Sequence, residues 1–149
     1  MVLPFEPAIA FDQLHAAGEA GVGRRLAEFV LSILESSEGR RTLTGLIRAA
    51  ASEAQAADLI REFVAHRLLT PLVDRVGSDH PDLRASLIAS QIVGLAMARH
   101  IVGLDPVVSA PRELLVGAPA PVFEHYLNGE LNNPLADPGV SHRGANSPV

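Results

Sequence analysis

The chain contains no cysteine, no tryptophan and no lysine. Without cysteine there are no disulfides, no thiol nucleophile and no thiolate metal site, and nothing conflicts with a reducing compartment. Aromatic residues are 4% of the sequence, with one tyrosine. Base-stacking platforms and aromatic cages for quaternary cations therefore have almost nothing to be built from. Charge is also scarce: DEKR residues make up 19%, and 12 basic residues, all arginine, against 17 acidic ones leave a net charge of -5. No general attraction to phosphate backbones or anionic membranes is expected, so any nucleic-acid surface would have to be local. The first eleven residues hold Pro4, Pro7 and an acid but no basic cluster and no long apolar run. A secretory signal is not expected. The longest apolar stretch, 87–98, is interrupted by Ser90 and Gln91 and reads as too short for a membrane span. A cytoplasmic protein is expected.

What is present is helical periodicity and 48% hydrophobic residues, enough over 149 residues for one closed core. After a Pro- and Gly-rich lead-in with a short helix around 9–17, Leu26, Phe29, Val30, Ile33 and Leu34 recur at the spacing of one helical face. Ser36, Ser37 and Gly39 end that helix. A second, starting near Glu38, carries Leu43, Leu46, Ile47 and Ala50. Ser52 and Gln55 have the form of a capping box and open a long helix to about Val76, in which Pro71 predicts a bend near 67–70. Asp79-His80-Pro81-Asp82 launches the next helix, with the proline at its first position. This helix runs to about Leu104 and is apolar or small nearly all round between 87 and 98, so a second side needs cover. A last helix begins near Pro111, and Gly117, Pro119 and Pro121 predict a kink or break in it. The segment 130–149, rich in Pro, Gly, Asn and Ser, reads as a disordered tail after one domain over 1–129.

The chemistry-bearing residues are sparse. His66, His80, His100 and His125 fall in different elements with no i, i+4 ligand pair, so no metal and no cofactor is expected. There is no G-x-S-x-G elbow and no Ser, His and acid grouping, so an enzyme is not expected. Ala20-Gly21-Val22-Gly23-Arg24-Arg25 has the form of a helix-turn-helix turn. However, the segment before it is too rich in Gly and Pro for a supporting helix, and Leu26 to Val30 are apolar where a recognition helix is polar and basic. Ser90 and Gln91, in the most apolar stretch, need partners across a helix interface or in a ligand cavity. Phe29, Ile33, Leu46 and Phe63 serve equally as cavity walls or as ordinary core.

Taken together, Phe29-Val30-Leu31-Ser32-Ile33-Leu34-Glu35, Glu38-Gly39-Arg40-Arg41, the Leu68-Leu69-Thr70-Pro71-Leu72 step and above all the run from Ser90-Gln91-Ile92-Val93 through Met97-Ala98-Arg99-His100-Ile101-Val102 resemble the C-terminal domain of tetracycline-repressor (TetR) family regulators, in the version common among actinobacteria. The closing Tyr126-Leu127-Asn128-Gly129 resembles the family's final helix. The resemblance implies an all-α bundle of about five or six helices whose last two long helices form a four-helix dimer interface. It places the homodimer face on Val93, Met97, His100, Phe123, Tyr126 and Leu127. It places a pocket for a small-molecule effector, lipophilic by its lining, among Phe29, Ile33, Leu46, Phe63 and Gln91. Effector binding in such regulators shifts the spacing of two DNA-reading heads. No residues here match the helix-turn-helix head, so contact with DNA is expected only through a domain absent from this chain. The expected function is effector sensing and dimerisation for a transcriptional repressor. Two alternatives are a helical module that heterodimerises with a headed relative and a small-molecule-binding protein with no transcriptional role.

Overall fold

The computed structural model describes residues 21–63, 67 and 69–132. The expected lead-in helix at 9–17 and the tail beyond residue 132 lie outside the described residues, as do Val64, His66 and Leu68. The described residues form eight α-helices and no strand, with π-helical residues at Phe63 and Arg67 and after α5: α1 Val22–Glu35, α2 Ser37–Ala50, α3 Ala54–Glu62, α4 Leu69–Val76, α5 Pro81–Ala96 with its π continuation Met97–Val102, α6 Asp105–Ser109, α7 Arg112–Gly117 and α8 Ala120–Asn128. The fold is all-α, and the count exceeds five or six because the longer periodic stretches are broken by their prolines.

The centre of the bundle is α1. It buries Val22, Leu26, Ala27, Val30, Leu31 and Leu34, a wide stripe at helical spacing, and packs chiefly on α8, then on α2 and α7. The α1–α8 crossing is close because residue 23 is glycine. A Cβ there would lie 2.6 Å from the Glu124 backbone nitrogen and 2.7 Å from the Ala120 carbonyl oxygen, and backbone cannot yield as a flexible side chain does. The contact is tightened by the Gly23 N–H, an otherwise unpaired donor of the first helical turn, which bonds to Glu124 Oε1 at 2.6 Å. Gly23 is thus a close-packing device at a helix start, while Gly21 before it takes the left-handed φ of 104°.

Local chemistry accounts for most of the boundaries. Ser36 caps α2 by accepting from the Gly39 N–H at 3.1 Å, so that helix starts at Ser37. The capping box expected at Ser52 and Gln55 does not form. The Ser52 and Glu53 N–H groups both donate back to the Ala49 carbonyl, which places Glu53 at the cap position of α3, without a side-chain bond. Over the stretch expected to run as one helix to Val76, the described residues give α3, then Phe63 and Arg67 in π-helical conformation, then α4, within which Pro71 lies. Pro81 opens α5 as expected, after His80 in the left-handed region at φ 48°. Gly103, at φ 71°, closes the π turn and lets the Leu104 N–H reach the Ala98 carbonyl at 2.9 Å. Asp105-Pro106 starts the short α6 where the sequence reading had only an ending. The break expected around Gly117 and Pro119 separates α7 from α8. The final helix is accordingly two short pieces, not one long one.

Candidate effector and subunit-contact surfaces

The long helix α5 with its π turn has two faces of different character. Ala85, Ile88 and Ala96 are fully buried, with Ile92 packed against the core between them. On the opposite side Leu83, Leu87, Ser90, Gly94 and Met97 recur at three- and four-residue spacing. Leu83 is 51% exposed and Met97 40%, and Val102, just beyond, is 63% exposed. Ser90 and Gly94 at the centre of this stripe are small and exposed. The Ser90 hydroxyl is satisfied within its own helix by the Leu87 carbonyl at 2.6 Å, so it needs no interior partner.

The base of α5 is locked to the end of α8 by Arg84, which is 3% exposed. Its Nε donates to the Asp79 carbonyl at 2.7 Å, Nη1 to the Tyr126 carbonyl at 2.8 Å and Nη2 to the Gly129 carbonyl at 2.8 Å, while the Asp79 carboxylate neutralises it. The guanidinium thereby satisfies the open carbonyls at the C-terminus of α8. Hydrogen bonds from Arg84 Nε and Nη2 to the Asp79 carboxylate, together with the guanidinium charge, hold that carboxyl below its ordinary value of 3.8. The Ser78 hydroxyl adds a bond to the Leu127 carbonyl. Neither Arg84 nor Glu124 stood out in the sequence; an arginine three residues beyond Pro81 and a glutamate inside a periodic helix carry no local mark of a long-range partner.

Of the residues expected at a dimer face, Met97 is exposed, and Val93, His100 and Tyr126 are half-buried. Phe123 and Leu127 are placed otherwise, at 2% and 0% exposure, on the face of α8 that enters the subunit's own core. Their aromatic and aliphatic bulk is used by the α1–α8 crossing. Of the residues expected at an effector pocket, Phe29 and Phe63 are half-buried against the core and Leu46 is buried. Ile33 lies over the α1–α2 turn, with its carbonyl and Cγ2 against Gly39. Gln91 is exposed and is not brought to the interior with the other four. An open groove of about 570 Å³ is lined by Gly21, Arg24, Ala120, Pro121, Glu124, His125, Asn128 and Gly129, and none of the five lines it.

A second polar feature sits on the π turn. Arg99 Nη1 and His100 Nε2 are sealed from solvent and have no hydrogen-bond partner. Burial, followed by the charges of Arg99 and Arg40, holds the His100 imidazole below its ordinary value of 6.5, against a hydrogen bond to the Leu34 backbone that acts in the other direction.

Residues 20–127 match the family described as tetracyclin repressor-like, C-terminal domain. The chain belongs to this family. The match spans every α-helix except the last residue of α8, so the repressor-like C-terminal domain is the described bundle itself. No curated protein and no solved structure matches the chain. Membership gives the class of the domain, a ligand-binding and dimerisation domain of a regulator, and the residues above supply its particulars. The run from Ser90 to Val102 that carried the resemblance corresponds to the two-faced helix and its π turn.

Proposed function

We propose that this domain is the effector-sensing, dimerising part of a transcriptional repressor, and that two copies pair through the outer stripe of α5. The observation that carries the reading is the mismatch between composition and burial in this helix. The run Pro81–Val102 has 22 residues and a mean hydropathy of 1.4 over its most apolar window, yet 17% of that window is buried within one chain. By length and composition alone such a helix could cross a membrane. The fully buried Arg84 at one end and its lock onto α8 instead fix the helix to a packed bundle, so its bare side suits a second protein surface.

A symmetric pair buries the stripe of one copy against that of the other, as a two-fold interface requires. Small residues at Ser90 and Gly94 let two helices approach closely, with Leu83, Leu87 and Met97 closing around them. Val93 and Tyr126 flank this contact, while His100 turns its Nε2 inward. Phe123 and Leu127 act one step back, holding α8 on α1. A ligand seated among Phe29, Leu46 and Phe63 would change the packing of α1 and α2 under the π turn, and through it the pairing geometry. The output is regulatory, and DNA is reached through a separate reading head.

Transcript levels test the repressor assignment. Deleting the gene is expected to raise the expression of a small set of genes, which return to the basal level on complementation. Loss of expression in that set, or a transcriptome without change, contradicts it.

A further inference from the structure

Among the described residues the buried arginine is fully answered: Arg84 has a carboxylate and backbone carbonyls. Arg112, on the surface, also finds Glu35 and the Ser32 hydroxyl. The π turn breaks this pattern. Arg99 Nη1 and His100 Nε2, on adjacent residues, are both sealed and both unpartnered. Among the described residues no carboxylate acts on His100, whereas two guanidinium groups do, Arg99 from its own turn and Arg40 from α2. Two sealed donors without a partner, set among positive charge, leave a demand for an anionic acceptor, and leaving buried donors unpaired costs stability. The backbone here is also irregular. A π turn holds one residue more than the α turn it replaces, a form that recurs at functional sites.

A second subunit does not answer this demand. The two atoms are closed off inside a single chain, whereas a paired copy would lie on the outer stripe of α5. The π turn packs against α2, and Leu43 of α2 and Ile101 of the turn itself are apolar and only partly buried against the core. The complementary ligand has an apolar body and one anionic end.

We propose that Arg99 and His100 form the anion-binding end of the effector site, and that the effector is a small amphipathic carboxylate. This rests on the effector-sensing reading above and names the chemistry of its ligand. The carboxylate accepts a bond from Arg99 Nη1 and, with the imidazole protonated, one from His100 Nε2, while Arg40 adds its charge from α2. Entry displaces the π turn, which carries Met97 on its outer side, so the same event that satisfies the two donors moves a residue of the proposed pairing face.

The test is thermal unfolding of the full chain with dodecanoate, with dodecanol as the uncharged control of equal length, and with inorganic phosphate. Dodecanoate near saturation is expected to raise Tm by about 4 °C or more. Dodecanol and phosphate at the same concentration are expected to give less than about a quarter of that shift. Arg99→Met is expected to weaken dodecanoate binding by about tenfold or more, while its own unliganded Tm stays at or above that of the wild type, because an unanswered buried donor has been removed. Arg99→Lys, which keeps the charge, is expected to retain part of the shift. Equal shifts from dodecanoate and dodecanol overturn the proposal and leave an effector-sensing dimer with a neutral ligand. A full shift from phosphate alone overturns the carboxylate assignment. An unliganded Arg99→Met chain that melts more than about 4 °C lower overturns it too, by showing that Arg99 holds the fold. No shift with any probe overturns it as well, and the subunit mass then decides separately whether the dimer reading survives.

Discussion

Arg84 and His100 show how one residue type can be settled or unsettled by its surroundings. Arg84 is buried with its donors placed on carbonyls that α8 leaves open, so removing it exposes those carbonyls as unpaired groups as well as abolishing a charge pair. Arg84→Met is expected to lower the unfolding free energy by about 3 kcal/mol, measured by urea denaturation. A loss below about 1 kcal/mol would show that the clamp is ornamental. His100 is buried toward its neutral form. Its lowered value means that its contribution to stability is fully present above pH 6.5 and is lost as the pH falls through that lowered value, where the folded state must accept a charge beside Arg99 and Arg40. Unfolding free energy measured from pH 7.5 to 5 is expected to fall for the wild type and to fall less for His100→Gln. Equal slopes would mean that the imidazole is solvated.

At the scale of elements, α5 and α8 divide the work that the family resemblance assigned to both. Phe123 packs into the core from α8, so Phe123→Ala is expected to cost about 3 to 5 kcal/mol in stability, read by denaturant titration. Met97 lies on the bare side of α5, so Met97→Asp is expected to dissociate subunits at micromolar concentration with little change in the circular dichroism of the chain. The reverse pair of outcomes would exchange the roles of the two helices. The periodicity of Leu26, Val30 and Leu34 was enough to place α1, and Pro81, Gly117 and Pro119 were enough to place a start and a break, because those signals are local. The π-helical conformation at Phe63 and Arg67 and the empty capping box at Ser52 were not legible. The second depends on how tightly the chain leaves α2 at Ala49. The side of α8 that carries Phe123 and Leu127 was likewise hidden, since an apolar residue reads the same toward its own core as toward a partner. Glu124 and Arg84 act across 101 and 42 residues of sequence, respectively, and no window on either side announces that.

For the whole molecule, membership in the repressor-like family gives a helical bundle of the ligand-binding and dimerisation class, and the proposed reading has it sense a ligand near the α1–α2 and π-turn junction and report it through subunit pairing. The bundle closes its own core around α1 and leaves one long helix half-covered. A monomer would keep Leu83, Met97 and Val102 in water, which soluble chains rarely do with so contiguous a stripe. Pairing is therefore the claim on which the sensing mechanism stands. Sedimentation equilibrium of the purified chain at micromolar concentration measures it directly. The account predicts a single species of twice 15.7 kDa; a species at 15.7 kDa that persists as concentration rises would contradict it.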